Sequence, residues 1–386
     1  MSDIDLLIIT EIISPYRIPV FNILSRLLGK RFHVVFLSET DSRRQWKVYT
    51  DKIEFSYQVL SGTKFQIKQG HPYFLNFGIG RVIKELKPKA LIIGGYAHPS
   101  FPLALLSAKS LGVPCALWCE SNNNDQRLGW SLVETYKRWF IQQCDAYVVP
   151  GTASENYLTN YGVNSEQIFH APNAIDSPYF SANYKHQSVA LQAQHNWPRN
   201  LVLYVGRITQ QKGILDLINA FAQLNTTNTG LLIVGDGPER PAAEQLCKTL
   251  ACQNVFFAGF VHQEELPGYY GSSKIFVLPT YSDPWGLVLN EAMSCQCAVI
   301  ASEVAGATAD LVEHNQTGCV FPAGDVSKLK FYLEQLLSAP EDTVQMGKKG
   351  YEKIQQYSPQ SCAEGFVQLT EQLLNNVQSY QQVTTS

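Results

Sequence analysis

The sequence predicts an α/β protein made of two doubly wound parallel-sheet domains facing a cleft. Three observations lead there. Short apolar runs alternate with helical patterns from the start of the chain to about residue 150. That rhythm breaks over 173–200 and restarts at 201. And 386 residues are more than one hydrophobic core ordinarily serves.

In the first half the strand candidates are DLLIIT (5–10), HVVFLS (33–38), ALIIGG (90–95), CALWCE (115–120) and AYVVPG (146–151). The first runs into a helical pattern, IPVFNILSRLL (18–28). Strands alternating with helices imply parallel sheets covered on both faces. Residues 90–108 carry no Asp, Glu, Lys or Arg and are long enough to cross a bilayer. However, Gly94, Gly95, His98, Pro99 and Pro102 interrupt the middle, which favours a buried strand over 90–93, a loop, and a helix from about Ser100. The polar stretch 173–200 reads as a linker, so the expected boundaries are a first domain over 1–178, a linker over 179–200 and a second domain over 201–362. The second run of strands is LVLYVGR (201–207), GLLIVGDG (230–237), VFFAGF (255–260), IFVLPT (275–280) and CAVIAS (297–302). GFVQLTEQLLNNVQ (365–378) is a last helix.

Composition sets outer limits. Apolar residues make up 45% and charged residues 16%, as in ordinary globular proteins. A net charge of -3 argues against nucleic acid as a partner. The charge is uneven: residues 1–180 hold 18 Lys/Arg and 15 Asp/Glu, and residues 181–386 hold 12 and 18. The nine cysteines are scattered without zinc-site spacing, which suggests reduced thiols and a cytoplasmic protein. The opening MSDIDLLIIT has acids where a signal peptide would have Lys or Arg.

In doubly wound sheets ligands bind beyond the C-terminal strand ends, so the residues that follow each strand are the site candidates. After 201–206 come Arg207 and Lys212, two cations in one strand-to-helix loop. They suit a diphosphate, Arg as a fork and Lys as a point charge, although two solvated surface cations would look the same. After 275–280 comes SDPWGLVLNEAM (282–293). Asp283 is a good helix N-cap and Pro284 fits the first helical position, so a helix is expected from Pro284 to about Ser294. Its N-terminus would offer the amides of Trp285, Gly286 and Leu287 to an anion, with Gly286 leaving room for a phosphate. Eight helical residues would separate Asp283 from Glu291 by about 12 Å and roughly 80°. That suits a donor whose sugar meets Asp283 and whose ribose meets Glu291. Asp283 could equally be a plain cap. Gly235 lies in a glycine loop, GDGPE (235–239), that a tight turn explains as well. Phe260 and Val261, at another strand end, could pack a base.

Taken together, YVGRITQQKGILDLINAF, IVGDGPE, AGFV, SDPWGLVLNEAMS, GATADLVEHNQTGCVFPAGD and HAPNAIDSPYF resemble the family-4 retaining glycosyltransferases. The resemblance is dense over the second half and loose over the first. It implies GT-B architecture: two doubly wound Rossmann-like domains facing a cleft, with a final helix over about 363–386 packing back on the first domain. It also implies a nucleotide-sugar donor, UDP- or GDP-linked, as a substrate and not a cofactor. Arg207 and Lys212 would hold its diphosphate, Glu291 the ribose and position 283 the sugar. Two features depart from the family. Its first acid is usually Glu, where this chain has Asp283. Its Gly-Gly loop after the first strand is replaced by TEIISPYRIPVF, which makes Tyr16 and Arg17 candidates for phosphate or acceptor contact, or Arg17 a plain surface charge. The only Asp-x-Asp is DID (3–5), in a terminus that looks disordered, so no metal is expected on the diphosphate.

The first domain would then bind the acceptor, with His98, Glu120, Ser121 and Asn122 as strand-end candidates. His98 and Glu120 are the catalytic candidates there, as Asp283 is in the second domain. His98 could also be a structural hydrogen-bonder. WSLVETYKRWFIQQCD (130–145) reads as a helix with a solvated face, or as one touching anionic lipid at a membrane. The function expected is metal-independent, retaining transfer of a hexose-type sugar to a saccharide or lipid-linked acceptor, as in polysaccharide biosynthesis. An epimerase-like enzyme of the same architecture and a non-catalytic nucleotide-sugar binder are the alternatives.

Overall fold

The computed structural model describes residues 4–41, 47–66, 72–124, 131–226 and 228–384, the last nine of these by backbone alone. The chain forms two compact units, 1–173 with 359–386, and 174–358.

In the first unit the strands are β1 (Leu6–Ile12), β2 (Phe32–Ser38), β3 (Ser56–Val59), β4 (Thr63–Gln66), β5 (Pro72–Leu75), β6 (Ala90–Ile93), β7 (Cys115–Trp118), β8 (Ala146–Val149) and β9 (Ile168–His170). Seven form an all-parallel sheet in the order β3-β2-β1-β6-β7-β8-β9, and β4 and β5 form an antiparallel hairpin. Leu6 to Ile9 and Val34 to Leu37 are buried, as strands covered on both faces require. The uncharged window resolves into β6 and a helix, Ser100–Ser110. No helix among the described residues is long and apolar enough to cross a membrane. Asp5 is not part of a loose terminus: it is 4% exposed and pairs with Arg31 and, at 2.9 Å, with Lys89. Asp3 lies outside the described residues.

The final helix, Pro359–Thr384, belongs to the first unit and packs on the helix Ile18–Leu28 and on β8 and β9. Phe366 meets Trp118 edge-on at 5.0 Å. Gly365 allows the approach, because a Cβ there would lie 2.1 Å from the carbonyl oxygen of His170.

In the second unit β10 (Asn200–Val205), β11 (Thr229–Val234), β12 (Val255–Gly259), β13 (Ile275–Leu278), β14 (Ala298–Ser302) and β15 (Gly318–Phe321) form an all-parallel sheet in the order β12-β11-β10-β13-β14-β15. The stretch expected to be a linker is mainly an 18-residue helix, Ser177–Gln194, belonging to this unit. Asp176 caps it by accepting from the Tyr179 amide, and Pro178 sits in its first turn. It packs closely on the helix Leu266–Gly271, where a Cβ on Gly271 would lie 2.3 Å from the Tyr184 carbonyl oxygen. Only Ser177, Phe180, Tyr184 and Ser188 of it are buried, so its apolar periodicity is thin and its polar composition reads as loop.

Candidate functional site

In each sheet the strand order reverses once. In the first unit the reversal falls between β1 and β6, in the second between β10 and β13. Loops leaving the two central strands diverge there, and the crevice beyond their C-terminal ends is where ligands bind in such sheets. Both reversals hold an acid facing a basic side chain.

In the second unit the pair is Lys212, after β10, and Asp283, after β13, with Nζ 2.5 Å from Oδ2 and each side chain 16% exposed. The surrounding loops are tied backbone to backbone. Tyr281 N–H donates to the Gln211 carbonyl (2.8 Å), Gly306 N–H to that of Asp283 (3.0 Å) and Ala307 N–H to that of Trp285 (2.8 Å). Gly213 has φ +65° and a Cβ on it would lie 1.9 Å from the Pro279 carbonyl oxygen, so this loop accepts only glycine. Gly235 is required for the same reason: at φ +129° its Cβ would meet the Gly206 carbonyl oxygen at 1.9 Å.

Several expectations for this stretch are corrected. The helix spans Leu287–Ser294 and its N-cap is Gly286, at φ +99°. Asp283 is therefore no cap; its side chain turns to Lys212, because a left-handed Gly286 starts the helix later than the Asp-Pro signal suggests. Helical rise over the whole 283–291 interval does not apply, since only its second half is helical. Trp285 is 3% exposed and donates through Nε1 to Asn290 Oδ1 at 3.0 Å, so its ring is core. Leu287, the first helical residue, keeps the N-terminal address expected of it. Glu291 is fully buried and accepts a 2.6 Å hydrogen bond from the hydroxyl of Tyr270. Tyr270 carries no strand-end signal, and sequence reasoning missed it. Arg207 is exposed, and its carbonyl accepts from the buried Tyr204 hydroxyl at 2.8 Å. Burial, with Asp283 nearby, pushes that phenol well above the ordinary tyrosine range. Phe260 is 43% exposed, edge-on to His262, with Val261 half-buried beside it.

In the first unit the pair at the reversal is His98 and Glu11, with Nε2 3.1 Å from Oε1. The ring is 1% exposed and packs against Phe74 and Phe101. His98 Nδ1 accepts from the Phe74 amide at 3.2 Å, which places the proton of a neutral ring on Nε2, facing the carboxylate. His98 is thus a structural hydrogen-bonder as well as a strand-end residue. Glu11 was missed although it stands at the end of β1, the address that identified the others. Arg17 is not a plain surface charge. It is ion-paired with Glu120 and lies 4.2 Å above the Trp118 ring. Asn122 is buried, and its Oδ1 accepts from the Asn124 amide at 3.0 Å, which shapes the turn after β7. Tyr16 is half-buried beside Arg17. Ser121 accepts or donates a 2.8 Å hydrogen bond with Tyr96. Among the described residues no group of three His, Cys, Asp or Glu is arranged to hold a metal ion.

Residues 20–177 match the family model described as Glycosyltransferase Family 4, and residues 190–353 match Glycosyl transferases group 1. The chain is 29% identical over 233 residues to the sulfoquinovosyl transferase SQD2 of Arabidopsis thaliana, covering 59% of this chain and 44% of that one. It is 34% identical over 146 residues to an alpha-D-kanosaminyltransferase of Streptomyces kanamyceticus, covering 37% and 38%. The alignments thus span about half the length of these curated relatives, or less. Anabaena Alr3699/HepE, solved in complex with UDP, superimposes with a TM-score of 0.76 at 17% identity over 97% of this chain and 100% of that one, a likeness of fold.

Proposed function

Because the chain belongs to the family-4 glycosyltransferases of GT-B architecture, we propose that it transfers a sugar from a nucleotide-diphosphate sugar to a saccharide or lipid-linked acceptor, with retention at the anomeric carbon. The observation that carries this reading is the Lys212–Asp283 pair at the reversal of the second sheet. A donor diphosphate entering there competes with Asp283 for the ammonium. Lys212, the exposed Arg207 and the amide end of the helix Leu287–Ser294 then face the phosphates, and they favour the departing diphosphate most as its charge grows in the transition state. Asp283, once Lys212 turns to the phosphates, accepts from a sugar hydroxyl in this reading. Glu291, whose carboxylate accepts from Tyr270, is the ribose contact of this reading. The acceptor hydroxyl gives its proton to an oxygen of the donor's own phosphate, so no strong protein base is required. Glu120 and the Arg17 guanidinium are the acceptor-side contacts of this reading.

The support lies in two parallel sheets with paired charges at their reversals and in family models matching both halves. The test is a thermal-shift panel of UDP- and GDP-sugars, followed by product detection with saccharide and lipid-linked acceptors, with and without EDTA. A donor that raises the melting temperature and is consumed only with acceptor, in EDTA as well, supports the reading. Binding without turnover across a broad acceptor panel would favour a nucleotide-sugar binder. Loss of activity in EDTA, restored by Mn or Mg, would overturn the cation-only phosphate site.

A further inference from the structure

We infer that Cys247 and Cys252 form an oxidisable thiol pair that closes to a disulfide across the C-terminal cap of the helix Arg240–Thr249. Two features of one turn place the two thiols together. First, the cap is a Schellman turn. Ala251 takes the left-handed conformation (φ +48°), Cys252 N–H donates to the Cys247 carbonyl at 2.9 Å, and Ala251 N–H donates to the Lys248 carbonyl at 3.1 Å. This turn lays the side chain two residues past the cap residue, Leu250, over the one in the helix's last turn, and those side chains here are Cys252 and Cys247. Second, the direct backbone bond limits how far apart the two Cα atoms can be. Bond lengths and a 2.9 Å contact allow at most about 6.8 Å, at the upper edge of the range that disulfides span.

The pair is also set apart from the other thiols. None of the nine cysteines is in a disulfide, and seven are buried; only Cys247 and Cys252 are half-exposed. Burial, and then the neighbouring thiol, push Cys247 up to about 11, and burial raises Cys252 as well. Few thiolates exist at neutral pH, so oxidation is slow there and accelerates as pH rises.

With a hydroperoxide as oxidant the chemistry balances. One thiolate attacks the peroxide oxygen; a sulfur–oxygen bond forms, the oxygen–oxygen bond breaks, and the leaving alkoxide takes a proton. The second thiolate attacks the sulfenic sulfur, a sulfur–sulfur bond forms, and hydroxide leaves as water. Two thiols lose two electrons and the peroxide gains them. In the structure the two are thiols with no bond between the sulfurs. The six-residue closure fixes a turn that is already formed, so oxidation is accommodated without rebuilding the helix.

The experiment treats the full-length protein with hydrogen peroxide at pH 7 and pH 9, followed by maleimide blocking and peptide mapping. The expected product is a Cys247–Cys252 linked peptide, with the mass of the intact protein reduced by two hydrogens, formed faster at pH 9 and reversed by dithiothreitol. Cys252→Ser should instead stop at a Cys247 sulfenic acid that dimedone traps, and Cys247→Ser should show the converse. Cys247 and Cys252 both recovered as maleimide adducts after peroxide, or either one linked to a different cysteine, would overturn the pairing. So would equal dimedone labelling of the wild type and Cys252→Ser, because a resolving neighbour must suppress the trapped acid.

Discussion

Lys212 and Asp283 meet at 2.5 Å although 71 positions separate them in the chain. They close the reversal of the second sheet with an ion pair.

The roles of the two residues can be separated. Lys212→Ala should lower turnover at least about tenfold, since hydrogen bonds to charged groups contribute roughly 1.5–3 kcal/mol. Asp283→Asn removes the competitor for Lys212, so nucleoside diphosphate should bind more tightly while transfer slows. Calorimetry with nucleoside diphosphate beside transfer rates checks both. Weaker binding by Asp283→Asn would mean that the carboxylate supports the phosphate-binding form of Lys212 and does not compete with it.

Glu291 and Tyr270 make a second separable pair, both fully buried. Tyr270→Phe leaves the carboxylate without that donor and should cost about 1–3 kcal/mol in urea unfolding. Glu291→Gln keeps a hydrogen-bonding partner for the phenol, so it should unfold near the wild-type midpoint yet bind nucleoside diphosphate more weakly. Unchanged binding would leave Glu291 with a structural role alone.

The loop glycines give a test of close approach against backbone strain. Gly112 and Gly213 have similar φ, +69° and +65°, but a Cβ on Gly112 meets nothing within 4 Å and one on Gly213 meets a carbonyl oxygen at 1.9 Å. Gly112→Ala should cost about 1–2 kcal/mol, the left-handed penalty. Gly213→Ala should cost clearly more and should also reduce donor binding, because it displaces the loop that carries Lys212. Equal unfolding midpoints for the two variants would show that the loop yields freely.

Alkaline stability should report on Tyr281. Its hydrogen bond to Asp216 (2.5 Å), and secondarily its burial, raise its pKa from 10.0 to about 12. The folded state holds the proton more tightly than the unfolded one. The resulting stability is therefore fully present below pH 10 and is lost as pH rises through about 12. Urea midpoints of wild type and Tyr281→Phe should differ most below pH 10 and converge toward pH 12. A pH-independent difference would assign the effect to packing.

The alternation of apolar runs with helical patterns determined the two parallel sheets, because strands buried on both faces must be apolar throughout and the helices that cover them must be amphipathic. The strand-end addresses of Arg207, Lys212, Asp283, His98 and Glu120 follow from the same alternation. The tertiary structure decided their partners. Lys212 could have faced solvent, but the β10–β13 adjacency, set by hydrogen bonding between strands far apart in sequence, puts Asp283 beside it. It also moved a helix start from Pro284 to Leu287, since the left-handed turn at Gly286 depends on the neighbouring loop that ties down Asp283 and Trp285. The helix Ser177–Gln194 was illegible for a related reason: with so few of its residues buried, its stability comes from packing against Leu266–Gly271, and no local pattern records a partner more than seventy residues away. Local sequence sets which surfaces seek burial; long-range packing selects which charges and hydroxyls meet once they are buried.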